Sequence, residues 1–442
     1  MSELTRRSFV TLAAGLAASA TVGVAASPNG MASRRAAARV GRELRVGIIG
    51  CGGRGTGAAG NALEASPDVR IVALGDLFPD KIEKALAGLA SFGERASVSA
   101  AQCFVGLDAY QGVLAVPMDY VILATPPGFR PTHFAAAVAA GRNAFIEKPA
   151  GVDPTGIRTM LAAAAEVDAK GLKVAAGTQR RHEWSYLEAM QRIRDGAIGT
   201  VVGARVYWNM GSLWHRTPEA TKTDVENQVR NWLYHAWLSG DHIVEQHVHN
   251  IDVANWAFGT HPVRCIAVGG RQVRTDPVNH GHIYDHFAVD YEYPPAVDGG
   301  VEIPRFALSM ARQQDGTTGR VGEIIHGTKG MARLTSGSAR ITGSNPWTFK
   351  GPNNNPFVQE HMDLQKAIVD GTPLNETRAV AESTMSAIMG RMAAYSGTEL
   401  EWDAALNDPL NLMPPALKLG PLPQAPVAIP GQSPPASAQA TK

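Results

Sequence analysis

Residues 45–76, RVGIIGCGGRGTGAAGNALEASPDVRIVALGD, constrain this chain more than any other stretch. Arg45 to Ile49 is a short run rich in β-branched residues, Gly50-Cys51-Gly52-Gly53-Arg54-Gly55 follows it directly, and Ala58 to Ala65 has helical spacing. A strand that feeds a glycine turn opening a helix is the layout of a dinucleotide-binding βαβ unit. Gly50 serves the tight turn, Gly52 lets bare backbone approach a pyrophosphate, and Gly55 lets helix and strand pack closely. Gly53 and Arg54 share the loop, where the helix N-terminus offers N–H groups and positive dipole to phosphates. The next apolar run, Val69 to Leu74, ends at Gly75-Asp76. An acidic residue there accepts hydrogen bonds from ribose hydroxyls and repels a 2′-phosphate, so the pattern favours NAD over NADP.

The following segments continue the alternation. Met118 to Ala124 reads as an apolar strand that stops at Thr125-Pro126-Pro127-Gly128. Parallel sheets hold ligands at the carboxyl ends of their strands, which sets Thr125 and Pro126 against a cofactor. His133 to Ala140 supplies a helix, and Asn143 to Ile146 a strand ending at Glu147-Lys148-Pro149. A helix around Gly156 to Val167 and a strand from Lys173 to Ala176 complete a doubly wound α/β domain, residues 43–179, closing near Gln179.

Residues 180–412 read as a second domain, β-rich with one prominent helix. Val201 to Trp208, Phe287 to Tyr293, Ala307 to Met310 and Gly322 to His326 are short strands broken by Gly and Pro. Ile243 to Phe258 has helical spacing, and on it Glu245, His249 and Asp252 recur at four and three residues, so they share a face. Glu245 would then orient His249 and set its tautomer. Arg180-Arg181-His182, Trp208, Trp214-His215-Arg216 and Tyr284-Asp285-His286 mix aromatic faces with polar groups, a combination suited to a sugar ring. Arg181, Trp208, Asp252, Tyr284 and His286 are thus the candidates for substrate contact. The histidines invite a metal reading, but His247 and His249 are two apart on a helix and cannot converge, so no metal site is expected.

At the N-terminus, Thr5-Arg6-Arg7-Ser8-Phe9-Val10 precedes an uncharged Ala-rich run, with Val24-Ala25-Ala26 as a cleavage candidate. Residues 1–42 therefore read as a twin-arginine export signal and linker, with the export machinery as a partner and the periplasm as destination. An uncleaved anchor is the alternative reading, but so many Ala, Gly, Ser and Thr make a poor membrane span. Because that route carries folded proteins, the cofactor would travel inside the fold. Nicotinamide that does not exchange must be reoxidised by a second substrate or used in a cycle without net redox change. Forty-one basic against 40 acidic residues leave a net charge of +1, which implies no nucleic-acid partner. Cys51, Cys103 and Cys265 are too few and scattered for a disulfide framework. Residues 413–442, rich in Pro and Ala, read as a flexible tail.

The glycine loop, Ala124-Thr125-Pro126, His133, Glu147-Lys148-Pro149 and His249-Asn250-Ile251-Asp252 together resemble the glucose-fructose oxidoreductase and inositol dehydrogenase family, Gfo/Idh/MocA. The resemblance runs from about Arg45 to about Ala405. It implies a Rossmann domain joined to a C-terminal α+β domain whose open, mainly antiparallel sheet covers the nicotinamide and often makes an oligomer interface, hence a dimer or tetramer. It also places Lys148 beside nicotinamide and substrate, and maps the family's acidic residue and histidine onto Glu245 and His249, with glutamate where aspartate is usual. The expected cofactor set is Gly50, Gly52, Gly53, Arg54, Gly55, Asp76, Thr125, Pro126, His133, Glu147, Lys148 and Gln179; the expected catalytic set is Lys148, His249 and Glu245. The implied activity is hydride transfer from a carbohydrate or polyol hydroxyl to tightly held NAD. The alternative is a redox-neutral glycoside hydrolase of the same fold, in which oxidation is transient, elimination releases the leaving group and the hydride returns.

Overall fold

The computed structural model describes residues 41–432, so the twin-arginine segment lies outside the described residues. Among the described residues no helix is long and apolar enough to cross a membrane. In the first half each apolar run becomes a parallel strand: β1 (Leu44–Ile49), β2 (Val69–Asp76), β3 (Cys103–Val105), β4 (Tyr120–Leu123), β5 (Asn143–Ile146) and β6 (Val174–Ala176). Their order is β3-β2-β1-β4-β5-β6. Helices cover both faces of such a sheet, which is why β4 is apolar and buried at every position. Strand order reverses between β1 and β4, and the crevice outside that switch point receives the glycine loop and helix α1 (Gly53–Ala65). Two glycines are dictated by geometry. Gly50 has φ +96°, and a Cβ there would sit 2.5 Å from the Thr125 amide nitrogen. At Gly55 a Cβ would lie 1.8 Å from the Gly50 carbonyl oxygen, so α1 can approach β1 only without one.

The second sheet has nine strands: β7 (Val201–Met210), β8 (Arg264–Gly270), β9 (His286–Asp298), β10 (Val301–Gln313), β11 (Arg320–Gly327), β12 (Gly330–Thr335), β13 (Ser338–Gly343), β14 (Trp347–Thr348) and β15 (Leu400–Glu401). The order is β14-β13-β12-β11-β7-β10-β9-β8-β15, antiparallel except for the pair β7 and β10. Alternation sorts its faces: Phe287, Val289, Tyr291 and Tyr293 are buried. The opposite face leaves Ile266, Val268, Phe306, Leu308 and Met310 exposed.

Two expectations change here, and a third feature extends the reading. The helix expected over Ile243 to Phe258 is two pieces, His242–Glu245 and Val248–Phe258, interrupted at Gln246-His247. The chain also returns to the first domain after residue 179. Helix Pro356–Asp370 packs on α1, and the Val174 amide donates to the Leu374 carbonyl at 2.8 Å. Helix Thr377–Ser396 lies between helix Pro154–Lys170 of the first domain and β8 of the second, and is buried nearly all round. Finally, residues 413–432, read as loose, form a strap. Met413, Leu417 and Leu422 pack into an apolar cluster, Gln228 Nε2 donates to the Leu422 carbonyl at 2.7 Å, and the Gly431 amide donates to Ser396 at 2.9 Å. An extended strap needs no periodicity, so its apolar residues carry no pattern in sequence. Residues 433–442 lie outside the described residues.

Candidate active site

A cleft of about 400 Å³ opens over the carboxyl ends of β1, β2 and β4, lined by Gly50, Gly52, Gly53, Arg54, Asp76, Thr125, Pro126 and His133 among others. Its floor fits a dinucleotide. Gly52, the N-cap of α1, offers no side-chain cap, and a Cβ on Gly52 or Gly53 would meet nothing within 4 Å. The first-turn N–H groups thus face open space, where an anion completes them. Asp76 accepts the Cys51 amide at 2.7 Å on one carboxylate oxygen and the Phe78 amide at 2.9 Å on the other. Each oxygen keeps a lone pair for a ribose hydroxyl. Burial raises the Asp76 pKa above its ordinary value. On the opposite wall Thr125 Oγ1 lies 3.2 Å from His133 Nδ1, and the His133 ring stacks on Tyr110 with centroids 4.5 Å apart. Burial pushes His133 down to about 3, so it is a neutral wall.

Other members of the expected cofactor set act at one remove. Gly55 serves the helix–strand contact. Glu147 does not line the cleft; buried, it accepts from Arg54 Nε and so ties the end of β5 to the glycine loop. Arg54 also faces Glu360, at 3.7 Å. Gln179 leads out of β6, with its Oε1 buried and without a partner. That orphan acceptor suits a donor supplied by a ligand.

The interrupted helix decides the geometry around Lys148. In a continuous helix the Glu245 carbonyl would accept from the His249 amide. The break frees it, and Lys148 Nζ donates to it at 2.7 Å and to Glu245 Oε1 at 2.8 Å. Glu245 is therefore the partner of Lys148 and not, as expected, of His249. The two residues no longer share a helix face. His249 instead stacks on Trp208, centroids 5.5 Å apart, and among the described residues its ring nitrogens make no hydrogen bond. Its pKa is held well below the ordinary value, by burial first and then by the nearby charges of Lys148 and Arg180. A neutral imidazole with uncommitted nitrogens can take a proton from a ligand.

The expected substrate contacts divide sharply. Trp208 sits with His249, and the Arg180 guanidinium lies 5.7 Å from its ring. Arg181 and Asp252 are spent on each other: Arg181 Nε and Nη2 donate to Asp252 at 2.8–3.1 Å, and Ser383 donates to the same carboxylate at 2.8 Å. Tyr284 is a core residue, 1% exposed, its hydroxyl donating to the Ala428 carbonyl at 2.9 Å. His286 precedes inward-facing Phe287 and so lies on the outer face of the second sheet, its Nδ1 2.7 Å from Asp285. Residue type suggested a sugar platform at Arg181, Asp252, Tyr284 and His286; ion pairing, core burial and strand parity place them elsewhere.

Residues that no motif marks also line the cleft. Lys81, Tyr110, Phe129, Arg230 and Trp232 carry no local motif. Arg130, 1% exposed, donates from Nη2 to the Thr125 carbonyl at 2.6 Å and from Nη1 to Pro149, clamping the loops after β4 and β5. Only its place three residues before His133 hinted at a role.

A switch-point cleft on a six-stranded parallel sheet, closed by a second sheet domain, defines a two-domain nucleotide-binding protein. Residues 44–175 match the model for the oxidoreductase family with an NAD-binding Rossmann fold, and residues 186–333 match the GFO/IDH/MocA C-terminal domain. The chain belongs to the Gfo/Idh/MocA family, and its cofactor is NAD. Among curated relatives it is similar to inositol 2-dehydrogenase of Rhizobium meliloti, 27% identical over 224 residues, 51% of this chain and 58% of that protein. It is also similar to a glycosyl hydrolase family 109 protein of Shewanella amazonensis, 26% identical over 255 residues, 54% of this chain and 53% of that one. The chain thus spans only a little over half the length of these relatives. In fold it is similar to aldose-aldose oxidoreductase from Caulobacter crescentus complexed with glycerol, TM-score 0.62, 20% identity, covering 81% of this chain and 100% of that one.

Proposed function

We propose that this protein oxidises a CH–OH group of a sugar or polyol. The observation that carries the reading is Lys148 at the carboxyl end of β5, held by both the carbonyl and the carboxylate of Glu245 beside a neutral His249. An ammonium has three N–H groups. Two of those on Lys148 go to Glu245, which leaves the third for a substrate oxygen. His249 accepts the hydroxyl proton, directly or by way of Lys148, and Trp208 offers a flat face to the ring. Bound NAD would supply the acceptor for the carbinol hydride, held by the glycine loop, Asp76 and the Thr125 to His133 wall. Similarity to an inositol 2-dehydrogenase supports a polyol or sugar as substrate.

The relative named a glycosyl hydrolase family 109 protein favours a second reading, redox-neutral hydrolysis. One experiment separates them. Purified protein is denatured to assay released NAD, and native protein is then given inositols, aldoses and aryl glycosides without added cofactor. Stoichiometric cofactor reduction by a polyol, with no glycoside cleavage, is expected. Repeated glycoside turnover without accumulated NADH would transfer the assignment to the hydrolase.

We also propose a homo-oligomer that covers the apolar outer face of the second sheet, where Val268 is 69% and Phe306 54% exposed. Light scattering at micromolar concentration is expected to give at least a dimer mass. A monomer would remove this proposal.

A further inference from the structure

The end of the cleft near Asp76 is lined on its far side by the second domain. Trp214, Arg216, Val229, Arg230 and Trp232 line it from above. Helix Asp224–Arg230 starts with a reciprocal cap between Thr223 and Glu226 and ends on Arg230. Arg230 crosses to the first domain, where Nη2 donates to Asp80 Oδ1 at 2.7 Å and the guanidinium lies 4.0 Å over the Phe78 ring. Phe78 and Asp80 lie two and four residues after Asp76, the residue that marks the ribose position. Trp232 meets Trp214 edge-on at 6.2 Å, and Tyr234 holds the Trp214 loop by donating to the Leu213 and Trp214 carbonyls. Behind the helix runs the strap: the Leu422 amide donates to Asp224 at 3.0 Å, and Gln228 donates to the Leu422 carbonyl at 2.7 Å. Phe78, Phe129, Val225, Val229 and Trp237 fill the space between with a separate apolar cluster that Leu422 joins.

We propose that helix Asp224–Arg230 and the Trp214 to Trp232 segment form a clasp over the adenosine half of bound NAD, latched by Arg230 on Asp80 and Phe78 and braced by the strap. The inference rests on the cofactor reading and adds to it the part of this chain that makes NAD a resident group instead of an exchanging substrate. The latch joins the two walls beside the ribose position, so release of the adenosine end is expected to part Arg230 from Asp80. The pair is suited to the task. It is partly buried, 21% and 33% exposed, and the Arg230 hydrogen bond is the leading cause that lowers Asp80 to about 2, so it stays charged at any working pH. A planar guanidinium also satisfies carboxylate and aromatic ring at once, which lysine does not.

The test uses full-length protein and reads bound NAD per chain and the rate at which excess etheno-NAD replaces it, with melting temperature alongside. Arg230→Ala and Asp80→Ala are each expected to exchange at least tenfold faster than wild type, and the charge swap Asp80→Arg/Arg230→Asp to restore slow exchange. The swap keeps the test informative if a single variant folds poorly. Wild-type exchange complete within seconds, or unchanged exchange in both single variants, would overturn the clasp while leaving the cofactor site in place. Wild type that neither carries NAD nor binds it on titration would overturn the cofactor reading itself, and the clasp with it.

Discussion

Lys148→Met is expected to lower turnover by about 10² to 10⁴, the range for a positioned acid–base group, while bound NAD stays at the wild-type level. Methionine preserves the length of the stem but removes every N–H. The substitution also removes the counter-charge of Glu245, whose side chain is only 8% exposed and keeps Gln246 Nε2 as its remaining donor. Breaking a buried pair from one side costs about 3–5 kcal/mol, so the single variant should melt early as well. Activity loss and instability must therefore be separated. The double variant Lys148→Met/Glu245→Leu removes both charges; it is expected to recover most of the melting temperature and none of the turnover. Single-turnover reduction of bound NAD by a reactive polyol, measured on all three proteins, decides the matter. Wild-type reduction rates in the double variant would sink the catalytic assignment of Lys148.

Acid should unfold this protein unusually early. Burial holds His133, His235, His242 and His247 down to about 3 and His282 to about 4, with His249 and His361 well below their ordinary value. A base whose folded pKa is depressed binds fewer protons when native, so stability is full above the unfolded value and falls as pH drops below it. Each such histidine contributes a slope of up to about 1.4 kcal/mol per pH unit below roughly pH 6.5. Opposing them are buried acids whose native pKa is raised, Asp241 to about 6, with Asp76, Glu323 and Glu360 also raised. Those acids favour the native state as pH falls. His182, raised by Glu376 and Asp363 against the opposing cost of its burial, is protonated in both states below pH 6 and adds no slope there. The depressed histidines outnumber the raised acids, so the net slope runs against the native state as pH falls, and total stability is only on the order of 5–15 kcal/mol. Melting followed by circular dichroism from pH 8 to 4.5 is expected to show a steep fall beginning near pH 6. A melting temperature that stays level between pH 7 and pH 5 would refute the prediction.

The cofactor floor was legible because its causes are local. Gly50, Gly55 and Asp76 answer to backbone geometry within one βαβ unit, and Thr125 and Lys148 follow from the rule that ligands meet strand ends. The ion pairs were not legible. Arg230 meets Asp80 across 150 residues, and Lys148 meets Glu245 across 97. Nothing in Gln246-His247 signals a helix break, since neither residue is a breaker, and the interruption is imposed by tertiary packing. Counting helical spacing through it put Glu245 beside His249. Arg181 and Asp252 looked like free polar groups because charge in a sequence does not reveal that its partner lies 71 positions away. His286 failed on parity, where a shift of one residue exchanges one sheet face for the other, while Tyr284, two residues earlier and outside the strand, is drawn into the core with its hydroxyl on the Ala428 carbonyl.

The break at Gln246-His247 also sets a limit on how this protein can be improved. Repacking that made the helix continuous from His242 to Phe258 would add one regular backbone hydrogen bond to the carbonyl of Glu245. That carbonyl is the acceptor Lys148 uses. It would then be turned along the helix axis and shared between the His249 amide and the ammonium, so regularity gained here is taken from the aim of Lys148.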